Sequence, residues 1–206
     1  MKIANILTFS RIFCAPVFSV LYFLPLWFPQ FPVFTRLSVY IMIPLLFLAE
    51  FTDYLDGKFA RDNNEVSNFG KIFDPFADVF LNLTVLFCLA FSGYMPPVVF
   101  LLILYREISI IFIRLVAMQK GVAIGARKGG KIKTVLYIVS GFFALLVESA
   151  LRLRLFNNDF FIFKNSRAIC LALFIICLLV SYVSFADYLV NFKNVLVSKD
   201  KAQQAK

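Results

Sequence analysis

The chain contains no histidine, and only 16% of its 206 residues are charged. Without imidazole, a histidine metal site and a histidine general base are excluded, so proton transfer must use Asp, Glu, Lys, Tyr, Cys or water. The four cysteines form no CxxC pair, which argues against a zinc knuckle or a dithiol redox motif. No linker, internal repeat or low-complexity tract divides the chain, so we expect one domain over residues 1–206, with a polar tail from about residue 194.

Most residues of the chain are apolar. They make up 61% of the chain, with 27 phenylalanines, and the mean hydropathy is +0.85. This is too apolar for an ordinary soluble domain, and a membrane helix needs about 20 mostly apolar residues. Suitable runs lie at about 8–26, 37–61, 71–91, 98–118, 132–151 and 163–192. The sequence therefore predicts an all-α, polytopic membrane protein with six transmembrane helices.

The distribution of Lys and Arg predicts the orientation, because cytoplasmic loops are enriched in both. The termini and the loops after the second and fourth runs are much richer in these residues than the loops on the other side. We therefore expect the termini to face the cytoplasm of an inner or plasma membrane. Trp27 and Tyr94 would then lie at the opposite interface, where amphipathic rings are common. The net charge of +9 fits this topology, and we expect contact with membrane lipids and no nucleic-acid partner.

Four aspartates flank the loop between the second and third runs. If both flanks are helical, steps of three and four residues give each helix one acidic face. The two faces consist of Asp53, Asp56, Gly57 and Ala60, and of Gly70, Asp74 and Asp78. Four ionised carboxylates need cations between them to lie this close, and Mg²⁺ or Mn²⁺ suit oxygen ligands. Helix-end aspartates in contact with water are the alternative, but Asp74 and Asp78 lie inside an apolar run, where ionisable groups are costly and usually functional.

The same stretch resembles the signature of the CDP-alcohol phosphotransferases, D-x-x-D-G-x-x-A-R-x8-G-x3-D-x3-D. Every fixed position matches: Asp53, Asp56, Gly57, Ala60, Arg61, Gly70, Asp74 and Asp78. The resemblance implies a six-helix membrane enzyme, usually a homodimer, that transfers a phosphatidyl or similar group from a CDP-linked donor to an alcohol and releases CMP. It implies that Asp53, Asp56 and Asp74 hold one Mg²⁺ or Mn²⁺. Asp78 would help to hold a second and act as the base. The implied CDP-binding residues are Asp53, Gly57, Ala60, Arg61 and Gly70.

A basic cluster in and after the fourth run bears on the acceptor alcohol. Positive-inside topology and anionic headgroups both account for loop charges on composition alone. Arg106 lies deeper in the run, where an ion pair with Glu107 could satisfy it. Beside a phosphotransfer site, such a cluster suggests a phosphorylated acceptor, because Arg and Lys bind phosphate.

Further motifs resemble the bacterial phosphatidylglycerophosphate synthase branch of this family, up to about residue 137. They are N-x-L-T-x-x-R at 5–11 with Pro16, R-E-I at 106–108, Arg114, Gly121, and G-K-x-K-T at 130–134. This resemblance implies CDP-diacylglycerol as donor, sn-glycerol 3-phosphate as acceptor, and Arg106, Arg114, Lys131 and Lys133 as acceptor-phosphate ligands. Val79 and Tyr137 depart from the branch, which usually has Lys and Gln there. Serine, inositol phosphate, phosphatidylglycerol or choline as acceptor, and a divalent-cation transporter outside the family, are the alternatives.

Overall fold

The structure is a computed structural model that describes the backbone of residues 3–62, 70–120, 128–155 and 165–197. It describes the side chains of residues 8–52, 70, 73–120, 130, 132–155 and 165–192. Within these ranges, all long elements are α-helices. They are α1 (Ile3–Trp27), α2 (Pro32–Asp62), α3 (Gly70–Phe91), α4 (Pro97–Gln119), α5 (Lys128–Arg152) and α6 (Ser166–Val197). The predicted all-α architecture is confirmed, and each predicted apolar run falls on one of these helices.

Five of these helices contain a stretch that is long and apolar enough to cross a membrane. The stretches are Thr8–Trp27, Pro32–Thr52, Phe73–Phe91, Ile132–Arg152 and Ser166–Phe192. α4 has a similar length but carries Arg106, Glu107 and Arg114, which lower its hydropathy. Large apolar side chains such as Phe13 and Val183 point outwards and are about 70% exposed. Such a surface is stable in lipid and not in water, so the chain is a multi-pass membrane protein.

The packing of the helices brings the start of α3 against two other elements. α1 packs against α2 and α3, while α3 also contacts α4 and α5. α6 completes the bundle by packing against α4 and α5. The fully buried side chains Phe18, Met42, Leu145 and Phe174 belong to one apolar core that joins α1, α2, α5 and α6. Because α3 lies at the centre of these contacts, its first turns are placed next to both α1 and α5.

The turn between α3 and α4 is anchored to α5 by polar contacts. Gly93 adopts φ +81°, a backbone conformation that favours glycine. The next residue, Tyr94, is 2% exposed and donates to Glu148 Oε2 at 2.9 Å. The prediction that Tyr94 belongs to an interfacial aromatic belt is therefore wrong, because its hydroxyl is used inside the bundle. Burial first, and then the Glu148 carboxylate, raise the pKa of Tyr94 above its ordinary value.

The same end of the bundle is tied to α1 through Arg152. Its Nε donates to Glu148 Oε1 at 2.8 Å, and its NH1 donates to the Tyr22 carbonyl at 3.0 Å. The guanidinium also lies 4.4 Å from the centroid of the Tyr22 ring, while the Tyr22 hydroxyl donates to Ser92 Oγ at 2.7 Å. These contacts fix the end of the bundle that lies opposite the acidic helix termini.

Candidate active site

The first three turns of α3 carry Asp74 and Asp78, and both carboxylates are contacted by α1. Thr8 Oγ1 donates to Asp74 Oδ1 at 2.7 Å. Arg11 donates from NH1 to Asp78 Oδ1 and forms an ion pair with it. Arg11 is 1% exposed, whereas the Asp78 side chain is 32% exposed. The Asp78 carboxylate is therefore held by a buried cation and is itself partly exposed.

The remaining signature residues lie at the end of α2 and the start of α3. The helix of α2 continues to Asp62, so the backbone of residues 53–61 is helical, and Gly70 is the first residue of α3. Both flanks of the loop are thus helical, as predicted. The side chains of Asp53, Asp56 and Arg61, and the surroundings of Gly57 and Ala60, lie outside the described residues. The convergence of all four carboxylates therefore stays a prediction.

The donor atoms at this site suit a hard divalent cation. Asp74 and Asp78 are one helical turn apart and offer carboxylate oxygens, which Mg²⁺ and Mn²⁺ prefer. Among the side chains that the structure describes, no group of three or more potential metal ligands occurs. Asp53 and Asp56 do not belong to that part of the chain. Two of the four proposed ligands are accordingly placed, and their chemistry fits the metal.

A second polar cluster lies between α4 and α5 and is centred on Glu107. Lys133 Nζ donates to both carboxylate oxygens of Glu107, at 2.7 and 2.8 Å. Arg106 NH1 donates to Glu107 Oε1 at 2.9 Å, which confirms the ion pair considered from the sequence. The three residues are 3–7% exposed. Because buried charges need partners, Glu107 neutralises part of the charge on two candidate phosphate ligands.

A small cavity of about 30 Å³ connects this cluster to Asp78. This is room for a water molecule or a hydroxyl group. Its walls come from α3, α4 and α5 and consist of Asp78, Val79, Asn82, Leu83, Leu86, Glu107, Lys133, Thr134 and Tyr137. The candidate base and one candidate phosphate ligand, Lys133, therefore border the same space.

The other candidate acceptor ligands lie in different surroundings. Arg106 extends away from the cavity: Nε donates to the Ser181 carbonyl at 3.2 Å, and NH2 lies 3.4 Å from Ser184 Oγ. Arg114 approaches the ring of Tyr188, with 6.0 Å between its guanidinium carbon and the ring centroid. The side chain of Lys131 is outside the described residues. α6 thus contacts two of the candidate cations, which the sequence did not indicate.

The two positions that depart from the resemblance both line the cavity. Val79 presents an apolar wall where the branch usually has Lys. Tyr137 is 4% exposed and donates to Ser181 Oγ at 3.0 Å, while Lys133 Nζ lies 5.0 Å from the centroid of its ring. Tyr137 therefore links α5 to α6 and lies beside a candidate phosphate ligand.

Sequence reasoning missed the contacts that Thr8 and Arg11 make with the aspartates. Both residues were visible in the motif N-x-L-T-x-x-R, but their spacing gives no information about a helix more than 60 residues away. Ser181, Ser184 and Tyr188 were also missed. Their only signal is a polar face, at steps of three and four residues, in an otherwise apolar helix.

Comparison with known proteins agrees with these observations. The profile of the CDP-alcohol phosphatidyltransferase family matches residues 1–163. A relative from Treponema pallidum, CDP-diacylglycerol–glycerol-3-phosphate 3-phosphatidyltransferase, is 35% identical over 200 residues, which cover 95% of this chain and 91% of the relative. A protein of the same name from Bacillus subtilis is 32% identical over 142 residues, covering 68% of this chain and 74% of that protein. The chain therefore belongs to the CDP-alcohol phosphatidyltransferase family.

Proposed function

We propose that the protein transfers the phosphatidyl group of CDP-diacylglycerol to sn-glycerol 3-phosphate, giving phosphatidylglycerophosphate and CMP in phospholipid synthesis. The observation that carries this proposal is the similarity to relatives named for this reaction, one of which aligns over 95% of the chain. The placement of Asp78 and Lys133 on one cavity supports it, because a base and a phosphate ligand are both needed for such an acceptor. Family membership favours this transferase over a cation transporter.

The four signature aspartates, Asp53, Asp56, Asp74 and Asp78, would hold two divalent cations, Mg²⁺ or Mn²⁺. Bound there, the cations would neutralise the diphosphate and stabilise the CMP leaving group. Gly57, Ala60 and Gly70 lack bulky side chains, so the cytidine diphosphate could approach the helix backbone, and Arg61 would contact its charge. The diacylglycerol tails would lie in an apolar groove between helices.

In the proposed reaction, Asp78 accepts the proton of the acceptor's primary hydroxyl. The hydroxyl oxygen attacks the phosphorus that carries the diacylglycerol, a new phosphorus–oxygen bond forms, and the anhydride bond to CMP breaks. CMP leaves with the bonding electron pair, so atoms and charge balance without another reactant. Asp78 is suited to this role because it is partly exposed and borders a space that admits a hydroxyl group.

The phosphate of the acceptor would bind the basic cluster. Arg106 and Lys133 share the Glu107 carboxylate, so one positive charge is left over there, and Arg114, which lies against Tyr188, adds a second. A phosphate monoester carries between −1.5 and −2 at pH 7, which matches this excess. Serine has no net charge and choline is a cation, so neither would compensate it. Lys131 would add to the same attraction.

The orientation and assembly belong to the same proposal. The acidic helix ends and the basic loops are expected to face the cytoplasm, because Lys and Arg are enriched on that side. We expect a single domain that functions as a homodimer.

An acceptor panel tests the proposed function. Purified protein with CDP-diacylglycerol and Mg²⁺ or Mn²⁺ should release CMP with sn-glycerol 3-phosphate, and not with serine, inositol phosphate or choline. Chelation of the metal should stop the release, and Asp78→Asn should lower turnover by at least 100-fold, within the range for a general base. Release of CMP with another acceptor only, or full turnover of Asp78→Asn, would refute the acceptor or the base assignment respectively.

A further inference from the structure

A wide groove lies between α2 and α5. Its volume is about 620 Å³, which is within the range of ligand sites in proteins. The walls are almost entirely apolar and come from residues 39–44 of α2 and residues 143–155 at the end of α5 and just after it. Of the lining side chains, Tyr40 is 67% exposed and Leu146 is 53% exposed. The groove therefore opens sideways, towards the surrounding lipid.

The groove lies in the half of the bundle that is remote from the signature aspartates. Its α2 wall ends at Pro44, and Asp53 follows nine residues later, about 14 Å further along the helix. Its α5 wall starts at Phe143, which is at the middle of the membrane-crossing stretch Ile132–Arg152, and reaches the end of that helix. This wall is about 14 Å long, and the hydrocarbon core of a bilayer is about 30 Å thick. The groove thus has the depth of one leaflet, the leaflet opposite the aspartates.

An arginine stands at the polar end of each wall. Arg36 precedes the groove residues Val39 and Tyr40 by one turn and lies on the same face of α2. Arg154 lies two residues after the end of α5. Both side chains are exposed, and within the described residues neither forms an ion pair. Because the expected topology puts the loops rich in Lys and Arg at the other end of the bundle, it does not explain these two cations.

The backbone of Arg154 has a conformation that favours glycine. Its φ is +53°. Its amide donates to the Leu151 carbonyl at 3.2 Å, and the Leu155 amide donates to the Ala150 carbonyl at 3.1 Å. This pair of hydrogen bonds ends many helices, and glycine is the usual residue at the left-handed position. An arginine there is strained, which favours a role for its side chain. Both of its neighbours, Leu153 and Leu155, line the groove.

The charges at the polar end select the occupant of the groove. An apolar groove that is one leaflet deep suits an acyl chain, and guanidinium groups bind phosphate. The carboxylate described at this end, Glu148, is already engaged by Tyr94 and Arg152. It therefore offers no partner to a cationic head group, whereas two exposed arginines attract a head group with a net negative charge.

We propose that the groove between α2 and α5 binds an anionic phospholipid of the leaflet opposite the aspartates. One acyl chain lies along the groove, and the phosphate contacts Arg36 and Arg154. The bound lipid joins the start of α2 to the end of α5. The site does not depend on the proposed reaction, because none of these residues belongs to the candidate active site.

Lipid binding to the purified protein tests the proposal. Native mass spectrometry from detergent micelles gives dissociation constants for phosphatidylglycerol, which is anionic, and phosphatidylcholine with the same acyl chains, which is zwitterionic. The original protein should bind the first phosphatidylglycerol about five-fold more tightly, in line with the attraction of an arginine for an anionic lipid surface. The double variant Arg36→Gln/Arg154→Gln should bind the two lipids equally within two-fold. Retention of the preference in the double variant overturns the proposal.

Arg154→Gly separates loss of the cation from damage to the fold. Glycine suits the left-handed backbone at this position, so the thermal midpoint without added lipid should not fall. The preference for phosphatidylglycerol should nevertheless decrease. If Arg154→Gly kept the full preference, the phosphate would not contact Arg154, and the proposed site would be wrong.

The matched control is Arg167→Gln. Arg167 is an exposed cation at the start of α6, at the same end of the bundle, and does not line the groove. This variant should keep the five-fold preference. A loss equal to that of the double variant would show that the lipid responds to the general surface charge, which overturns the proposed site.

Leu146→Trp tests the occupant of the groove, because it places a larger ring on an exposed lining position. Binding of both lipids should weaken, while the KM for CDP-diacylglycerol stays within two-fold and the oligomeric mass is unchanged. A rise in that KM would assign the groove to the acyl chain of the donor, and a change in oligomeric mass would assign it to a second copy of the chain. Either result overturns the proposal, and so does unchanged lipid binding, which would place the lipid elsewhere.

Discussion

Arg11, near the start of α1, donates to Asp78, in the third turn of α3, across a separation of 67 residues. Four residues before Asp78, Asp74 accepts a hydrogen bond from Thr8, and Arg11 NH2 lies 3.5 Å from Thr8 Oγ1. α1 therefore orients both of the signature aspartates whose side chains are described. A carboxylate that binds a metal or accepts a proton is usually held by such a partner, which fixes its orientation.

Arg11→Gln should lower both stability and turnover. The substitution removes a buried cation from a carboxylate that is 32% exposed, so the stability cost should be about 1–3 kcal/mol, between the values for surface and buried pairs. Turnover should fall because Asp78 loses its fixed orientation, and Arg11→Lys should recover part of it. Thermal midpoints and CMP release in micelles measure the two effects.

Ser19→Ala is the control for Arg11→Gln, because Ser19 lies on the same helix and donates to the carbonyl of Pro16 within that helix. Neither its stability nor its turnover should change by more than a small amount. If Arg11→Gln behaved like this control, Arg11 would have no part in positioning Asp78.

Thr8→Val should lower the affinity of the proposed site for its divalent cation. The change keeps the shape of the side chain but removes the hydroxyl that donates to Asp74. Loss of a group that orients a metal ligand typically costs 10–100-fold in metal affinity. The half-maximal Mg²⁺ or Mn²⁺ concentration for CMP release should rise about ten-fold. The metal concentration that gives half of the increase in thermal midpoint should rise by the same factor.

Thr8→Ser keeps the hydroxyl and should retain the metal dependence of the original protein. An identical metal titration for Thr8→Val and Thr8→Ser would show that the hydrogen bond to Asp74 does not support metal binding.

The fold could be predicted from the sequence because it depends on the length and polarity of continuous runs. Runs of about 20 apolar residues have few stable structures in lipid other than helices, and the observed helices follow the runs. Tyr94 shows where this reasoning ends. An aromatic residue beside a membrane helix suits the interface by composition, but its position depends on Glu148, which lies 54 residues away.

The site could be predicted only in part, for the same physical reason. Spacing along one helix places residues on one face, so the sequence grouped Asp74 with Asp78 and Asp53 with Asp56. It contains no information about which faces of separate helices meet. The contact of Thr8 and Arg11 with α3, and that of Ser181 and Tyr188 with the arginines of α4, depend on the packing of the whole bundle.

Tyr94→Phe should lower stability without changing turnover, because the hydroxyl lies at the end of the bundle opposite the aspartates. Loss of its hydrogen bond to Glu148 should cost about 1–2 kcal/mol. The pKa of Tyr94 is raised in the folded state by burial and by Glu148, whereas in the unfolded chain it is about 10. The contribution of this hydroxyl is therefore complete below pH 10 and is lost as the pH rises above 10.

Thermal midpoints measured from pH 7 to pH 11 test whether the stabilisation by the Tyr94 hydroxyl is lost at high pH. The difference between the original protein and Tyr94→Phe should be constant up to about pH 9 and should shrink above pH 10. A difference that stays constant across the whole range would contradict the raised pKa, and a loss of CMP release at pH 7 would contradict the separation of this cluster from the active site.

Glu107→Gln should be among the most destabilising single changes in the protein. Glu107 is 3% exposed and is the shared partner of Arg106 and Lys133, so its neutralisation leaves two buried cations without their counter-charge. Removing one partner of a buried ion pair costs about 3–5 kcal/mol.

Adding Lys133→Met to Glu107→Gln should restore part of this stability, because it removes one of the two stranded charges, while the acceptor KM should rise. Asp187→Asn on the exposed side of α6 is the control and should change stability by no more than about 0.5 kcal/mol. Denaturant midpoints, measured in micelles for the original protein, Glu107→Gln, the double variant and Asp187→Asn, give these differences in stability. If the double variant were less stable than Glu107→Gln alone, Lys133 would contribute to the bundle independently of Glu107, and the cluster would not act as one charge-balanced unit.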